Sequence, residues 1–329
     1  MIGPIARLRR ALYVRGILRV EDLPRPVISV GNLSAGGSGK TPHVQFLAAW
    51  MTGLGLKVAV LSRGYGRKSR GVVWVSRGEG PLVSAEEGGD EPVLLAALLP
   101  GVAVLAGESR AEAGRECIRR QDVDVFLLDD GYQHLSLRRD ADLLLVDAAR
   151  GLGNRHTLPL GPLREPPGNA RFADALIVTR CADLAQGEAA AAAVPFPPER
   201  PRAFSRLVPR SLVDRRGAES PLPTREREVA AFSGLARNDQ FAAALRESRF
   251  VLRKFLGYRD HHRYRPSDVA GIAAAAGSLP VLTTEKDLVR LPGRVPFDVK
   301  ALRVGVEFLA GWDALSRLLL ERVRSAERR

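Results

Sequence analysis

The sequence predicts an α/β fold: a mostly parallel sheet with helices on both faces, followed by a second, smaller α/β domain and preceded by an amphipathic helix. Three observations carry this prediction. From Pro26 onward, short β-branched and leucine-rich runs of strand length alternate with stretches of helical periodicity, the pattern of parallel strands linked by crossover helices. The first of these runs opens directly into a glycine-rich loop and then a helix. Residues 183–226 break the rhythm with Pro195, Pro197, Pro198, Pro201, Pro221 and Pro223, after which strand-like and helix-like segments resume.

Taken in order, residues 1–20 read as a helix. Ile2, Ile5, Leu8 and Leu12 share one broad face with Ile17 at its end, and Arg7, Arg9, Arg10, Arg15 and Arg19 lie on or beside the other; no acid precedes Glu21. A cationic amphipathic helix suits an anionic membrane surface, and the same pattern suits a helix packed on its own domain. Strands are expected at 27–30, 58–61, 72–75, 102–105, 123–128, 143–146 and 175–178, with helices at 41–54, 92–99 and 109–120. In the proline-rich stretch an alanine-rich helix leads to a strand near 203–207. Beyond it, strands at 229–232, 250–255 and 281–283 alternate with helices at 238–246, 266–276 and 311–324. The expected organisation is a helix at 1–25, a larger domain at 26–182, a linker region at 183–226 and a smaller domain at 227–329, whose last helix is free to pack back on the larger one.

Composition narrows the function classes. A chain of 329 residues with 45% hydrophobic content and a mean hydropathy of −0.08 has an ample core for two domains. Its charge of 50 − 37 = +13 favours anionic partners such as phospholipid headgroups, phosphorylated substrates or nucleic acid. Nucleic acid is not expected, because aromatics are only 6% and scattered rather than interleaved with the basic residues. Cys117 and Cys181 lack metal-ligand spacing and read as inert thiols in a reducing compartment. No run approaches the roughly 20 apolar residues of a spanning helix, and Arg7, Arg9 and Arg10 interrupt any secretory signal. An intracellular protein is expected.

The chemistry is concentrated in Val30-Gly31-Asn32-Leu33-Ser34-Ala35-Gly36-Gly37-Ser38-Gly39-Lys40-Thr41. Glycines let backbone N–H groups converge on phosphate oxygens, and the following helix N-terminus adds partial positive charge. The strand–loop–helix setting makes the larger domain P-loop NTPase-type. Asn32, Ser34, Ala35, Gly36, Gly37, Ser38, Gly39, Lys40 and Thr41 are the expected nucleotide-binding residues, with Lys40 on the β/γ-phosphates and Thr41 on Mg²⁺. The strict pattern wants Gly at 34, where this chain has Ser34. A second signal is Val125-Phe126-Leu127-Leu128-Asp129-Asp130-Gly131, an apolar strand ending in two carboxylates, the usual place for a magnesium-binding aspartate. Adjacent strand residues point to opposite faces, so Asp129 and Asp130 divide between the metal and a neighbouring loop, in an order the sequence leaves open.

Further segments occur in order: Ser62-Arg63-Gly64-Tyr65-Gly66-Arg67, Gly89-Asp90-Glu91-Pro92, Asp129-Asp130-Gly131-Tyr132-Gln133-His134, Leu158-Pro159-Leu160-Gly161-Pro162-Leu163-Arg164-Glu165-Pro166, Asp260-His261-His262 and Thr283-Thr284-Glu285-Lys286-Asp287. With the phosphate loop they make a chain that resembles the tetraacyldisaccharide 4′-kinases over residues 1 to about 320. The resemblance implies ATP- and Mg²⁺-dependent phosphorylation of the 4′-hydroxyl of an acylated glucosamine disaccharide 1-phosphate. The product is a bis-phosphorylated lipid A precursor. It also implies two α/β/α domains joined by a short β linker. The N-terminal helix would attach the protein peripherally to the cytoplasmic face of a Gram-negative inner membrane, and no obligate protein partner is expected. The family shares the departure at position 34.

Read residue by residue, the resemblance makes Asp90 the base that accepts the sugar hydroxyl proton; from its segment alone Asp90 is a helix N-cap. It makes His261 the partner of Asp90 in that step, with His262 the alternative in register. Arg63, Tyr65, Gln133, His134 and Arg164 become substrate- or phosphate-binding residues, and Glu165 joins Thr41, Asp129 and Asp130 around the metal. Lys286 is a weaker candidate, since Thr284 and Asp287 equally read as a helix cap. The rival function is a P-loop GTPase or ATPase metallochaperone. No Asn-Lys-x-Asp element reads guanine in this sequence, and His261-His262 is its only clustered metal-binding pair.

Overall fold

A computed structural model describes residues 2–260 and 262–326. In chain order the elements are α1 (Ile2–Val14), β1 (Val27–Asn32), α2 (Lys40–Gly53), β2 (Val58–Ser62), β3 (Val73–Arg77), α3 (Ala85–Gly88), α4 (Asp90–Leu98), β4 (Ala103–Ala106), α5 (Arg110–Arg120), β5 (Val125–Asp129), β6 (Ala141–Asp147), a 3₁₀ turn (Pro167–Phe172), β7 (Ala175–Thr179), α6 (Leu184–Ala192), β8 (Arg202–Val213), β9 (Glu219–Ser220), β10 (Arg227–Ser233), α7 (Asn238–Glu247), β11 (Phe250–Gly257), α8 (Pro266–Ala276), β12 (Val281–Thr284), α9 (Glu285–Leu288), β13 (Val299–Ala310) and α10 (Trp312–Ala326). They form two compact units. The larger comprises residues up to Leu207 and those from Val306 onward; the smaller is Val208–Gly305. Strands β8 and β13 therefore each contribute residues to both. The proline-rich stretch is itself divided, with α6 and the first part of β8 in the larger unit and β9 in the smaller.

In the larger unit the strand order is β8-β7-β6-β1-β5-β2-β4-β3. Every pairing along it is parallel except that of β3 with β4. Consecutive residues of the central strands feed opposite faces: Ile28, Val30, Val125 and Leu127 enter one core, Val27, Phe126 and Leu128 another. That is why these strands read as unbroken apolar runs rather than alternating ones. The first core is completed by Val44, Leu47 and Met51 of α2 and by Leu315, Leu319 and Val323 of α10. Phe46, Trp50, Phe308 and Trp312 pack edge-on and stacked beside it.

In the smaller unit β11, β10, β12 and β13 run parallel in that order. Phe241 and Leu245 of α7 fill one core and Ile272 and Ala276 of α8 the other.

The differences from expectation have local causes. The first helix ends at Val14 rather than near residue 20. Gly16 turns the chain at φ 70°, and the N–H groups of Gly16 and Ile17 close on the carbonyls of Tyr13 and Leu12, the usual way a helix terminates at glycine. Ile5 and Leu8 are exposed on that helix, as are Val14 at its end and Ile17 beyond it, whereas Arg10 is buried. The expected strand at 72–75 is the antiparallel edge strand β3. Strand β13 was not anticipated, because Lys300, Arg303 and Glu307 interrupt its apolar pattern. In the fold these charges are matched by Ser220, by Glu285 and Glu219, and by Arg206. Among the described residues no helix is long and apolar enough to cross a membrane.

Candidate active site

The site lies at the C-terminal ends of β1, β2, β5, β6 and β7, the edge where parallel sheets receive ligands. β1 delivers Asn32, fully buried, into the loop that follows. Its amide nitrogen donates to Ser38 Oγ at 2.8 Å, and at longer range to Ser34 Oγ and the Gly36 carbonyl. From behind, Thr179 Oγ1 donates to the Ser38 carbonyl at 2.9 Å, and Arg180, paired with Asp147, donates to the Gly37 carbonyl at 2.7 Å. Gly39 takes φ 79° as the N-cap of α2, so the loop enters the helix through a left-handed residue that a side chain would disfavour. Ala35, Gly36 and Gly37 are exposed. One turn into α2, His43 bridges the Gly39 carbonyl (2.8 Å) and Ser205 Oγ (2.9 Å). Burial, with Arg180 nearby and against the Gly39 bond, lowers its pKa to about 4, so it is neutral at pH 7.

Lys40, the first residue of α2, reaches back across the loop mouth to Asn32 Oδ1 at 3.3 Å and Asp130 at 3.5 Å. Arg164 forks onto both Asp130 oxygens at 2.8 Å and also donates to Asn32 Oδ1. Burial acts to raise Asp130, but this fork and Lys40 override it and hold the carboxyl down at about 2. Asp130 itself sits at φ 53°, a left-handed conformation that aspartate tolerates better than most residues. The kink lets two consecutive carboxylates leave the strand without regular alternation.

Asp129 is placed differently. Ser62, at the end of β2, donates to its Oδ2 at 3.3 Å, while Oδ1 is buried with no hydrogen-bond partner. Burial first, then Glu91 and Asp130, raise its pKa to about 7 despite Lys40 and Ser62. A buried carboxylate oxygen without a donor fits a hard cation that takes oxygen ligands, and Thr41 supplies a hydroxyl at the second position of α2. Among the described residues no three His, Cys, Asp or Glu side chains gather into a metal cluster. That suits a cation held by one or two carboxylates, a hydroxyl and substrate phosphates rather than by an all-protein cage. Glu165, expected in this set, has both oxygens engaged: Arg10 Nε and Nη2 donate to them at 3.0 and 3.2 Å, and Asn169 donates at 2.6 Å.

On the other side of Asp129 the loop after β2 carries Arg63 and Tyr65, both exposed. Arg67 anchors that loop through Glu108 (2.7 Å) and the carbonyls of Ala106 (3.2 Å) and Gly71 (2.6 Å). Gly64 in that loop is required by a close approach to the segment before α4. A Cβ on Gly64 would lie 2.8 Å from the Gly88 carbonyl oxygen, and one on Gly89 would lie 2.8 Å from Gly64 Cα. This contact brings the Arg63 loop against the start of α4. Asp90 is the first residue of that helix and Gly89 is its N-cap, so Asp90 is not the cap that its segment alone suggested.

His134 is turned in by its N–H bond to the Gly131 carbonyl at 2.8 Å. Burial and the surrounding Arg110, Arg139, Arg9 and Arg63 lower its pKa to about 3. Gln133 donates to the Asn32 carbonyl at 2.9 Å and leaves its own Oε1 buried and unpaired. The sequence reading missed Arg110. It is 4% exposed at the start of α5, its Nε has no partner, and its pKa is lowered to about 10 by burial and by Arg63 in the presence of Asp129 and Asp130. Its only sequence signal was a position at a helix start after a strand, which is common to many surface arginines. Glu91, quoted in the Gly89-Asp90-Glu91-Pro92 segment, was given no role there, and it is among the charges that raise Asp129.

The structure thus gathers Asn32, Ser34, Ser38, Lys40, Asp130, Gln133 and Arg164 into one bonded network, with Asp129 beside Asp130 but bonded instead to Ser62. It places Thr41, Arg63 and Asp90 on adjoining segments. His261 lies outside the described residues. Its neighbour His262 bonds Asp268 at 3.0 Å and stacks on Tyr258. In the Thr-Glu-Lys-Asp segment, Thr284 caps α9 by accepting from the Asp287 N–H.

A phosphate-cradling loop, a lysine at its mouth and a buried aspartate with an unpaired oxygen, set on this strand order, define a P-loop kinase fold. The tetraacyldisaccharide-1-P 4′-kinase family matches residues 1–324, and the chain belongs to that family. It is 42% identical over 326 residues to the tetraacyldisaccharide 4′-kinase of Anaeromyxobacter dehalogenans strain 2CP-C, covering 95% of this chain and 86% of that protein. It is also 42% identical over 293 residues to the Geobacter sulfurreducens protein of the same name, covering 88% and 82%. Among solved structures, LpxK from Aquifex aeolicus in complex with ATP superposes with a TM-score of 0.81 at 36% identity, over 98% of this chain and 96% of that one.

Proposed function

We propose that this chain transfers the γ-phosphoryl group of ATP to the 4′-hydroxyl of a tetraacylated glucosamine disaccharide 1-phosphate. The observation that carries the reading is the Lys40–Asp130–Arg164–Asn32 network at the mouth of the phosphate loop, in a chain of this family. The backbone N–H groups from Gly36 to Thr41 hold the phosphates, that of Ala35 being taken by the Pro162 carbonyl at 2.7 Å, and Lys40 neutralises charge on the transferred group. Asp129 and Thr41 would hold Mg²⁺, which would supply electrostatic stabilisation to the phosphate oxygens. Asp130 keeps Lys40 aimed at the loop mouth, and Asp90 takes the proton from the attacking hydroxyl. Arg63, Tyr65, Arg110 and His134 receive the sugar and its anionic groups; the neutral imidazole of His134 offers a hydrogen bond without adding to the positive charge.

The exposed Ile5 and Leu8 on α1, with Arg7 and Arg9 beside them, suit peripheral attachment to an anionic membrane. This supports a reading in which the protein works as a peripheral enzyme at the cytoplasmic face of an inner membrane. The test is incubation of the purified protein with Mg-ATP and detergent-dispersed disaccharide 1-phosphate. A bis-phosphorylated lipid is expected from the wild type, none from Lys40→Ala or Asp90→Ala, and an increased Mg²⁺ requirement from Asp129→Asn. GTP hydrolysis without phosphorylated lipid would overturn the reading.

A further inference from the structure

Arg10 is a buried guanidinium on a helix whose other flank is apolar and exposed. Its side chain is 5% exposed and pairs with a Glu165 side chain that is 4% exposed. It also donates to the Tyr132 carbonyl at 3.1 Å and lies over the rings of Tyr132 and Phe172 at 4.9 and 5.2 Å. Its neighbour Arg9 donates to the Gln133 carbonyl at 2.9 Å. The two peptides that Arg9 and Arg10 grip follow Asp129-Asp130-Gly131 directly. The carboxylate that Arg10 forks belongs to the residue after Arg164, whose guanidinium holds Asp130 and Asn32. Gln133 closes the circuit by bonding the Asn32 carbonyl. A helix that only leaned on the surface would have no need of a desolvated charge, since an arginine in that position is stabilising only when fully paired. Here the pairing fixes both segments that flank the phosphate loop.

We infer that Arg10 is a positioning residue for phosphoryl transfer, acting through Glu165 and the Tyr132 carbonyl to set Arg164 and Asp130 against Lys40. The membrane-facing helix is in this sense a structural part of the catalytic site. The inference rests on the phosphotransfer reading above.

Displacing reacting groups by about 1 Å costs on the order of 100-fold in rate, so Arg10→Met is expected to lower kcat by roughly 10- to 100-fold with both substrates saturating. Its partition onto anionic phosphatidylglycerol vesicles should stay within about twofold of wild type, because Arg10 does not face the lipid. An Ile5→Ser/Leu8→Ser variant sets the scale for lost vesicle binding. Arg10→Lys keeps a cation near Glu165 without the fork and should recover part of kcat. Leu319→Ala, a core change in the same unit, controls for lost stability and should leave kcat near wild type well below its unfolding temperature.

A wild-type enzyme that makes no bis-phosphorylated lipid defeats the phosphotransfer reading itself. An active wild type whose Arg10→Met variant keeps its kcat, loses it no more than Leu319→Ala, or loses it only together with vesicle binding overturns this inference alone.

Discussion

Replacing Gly89 by alanine tests the contact that joins the Arg63 loop to the Asp90 helix. Gly89 has φ 92° and ψ 149°, a region that side-chain-bearing residues enter at a cost of about 1–3 kcal/mol. Its new methyl group would lie 2.8 Å from Gly64 Cα and 3.0 Å from the Gly64 carbonyl carbon. Both are backbone atoms, so no rotamer change relieves the overlap, and overpacking of this kind adds about 1–3 kcal/mol. The sum is a loss of about 2–6 kcal/mol. Trp50, Trp74 and Trp312 all belong to the larger unit, so tryptophan fluorescence during urea unfolding reports on the unit that carries the change. Relief of the overlap must move Asp90 or Arg63, and kcat should fall by roughly 10-fold or more. Gly53→Ala, at a helix end with nothing within 4 Å of the added carbon, should instead stabilise by about 0.4–1 kcal/mol. A Gly89→Ala protein with the wild-type urea midpoint would refute the packing argument.

Two further outcomes follow from burial. His43 is neutral in the fold with a pKa of about 4 against an ordinary 6.5. Below pH 6.5 the unfolded chain therefore gains a proton that the folded one does not, and stability falls as pH drops toward 4. The shift of about 2.5 units corresponds to about 3 kcal/mol. His43→Gln should flatten that part of the pH dependence of the urea midpoint between pH 7 and pH 4.5. Leu319 is fully buried among the core residues of the larger unit, and Leu319→Ala should cost about 2–5 kcal/mol by the same fluorescence titration.

The legible parts of the sequence were those whose physics is local. The central strands announced themselves because both faces of each are buried, so every residue from Val125 to Leu128 is apolar. The phosphate loop was legible because its turn into a helix passes through left-handed backbone at Gly36 and Gly39. What stayed hidden depends on partners remote in sequence. Arg10 looks like a surface residue until Glu165 and Tyr132 are brought to it, and Arg110 until Arg63, Asp129 and Asp130 are. Glu165 was assigned to the metal by the resemblance alone, and the arginine that engages it in the fold lies 155 positions away. Strand β13 was obscured by charges whose counterparts sit on other elements. Asp129 and Asp130 show the boundary within a single dipeptide: the pair was evident, but which carboxylate keeps an open oxygen depended on where Arg164 and Ser62 fell.

The division of the larger unit into two stretches of chain has a consequence for biosynthesis. Residues through Leu207 leave the ribosome first, yet the core that α2 helps build is closed by Leu315, Leu319 and Val323. At translation speeds of about 5–20 residues per second, the intervening hundred or so residues take roughly 5–20 s to emerge. Throughout that interval the apolar surface awaiting α10 is uncovered. A nascent chain halted after Gly305 would hold a finished small unit attached to an unfinished large one.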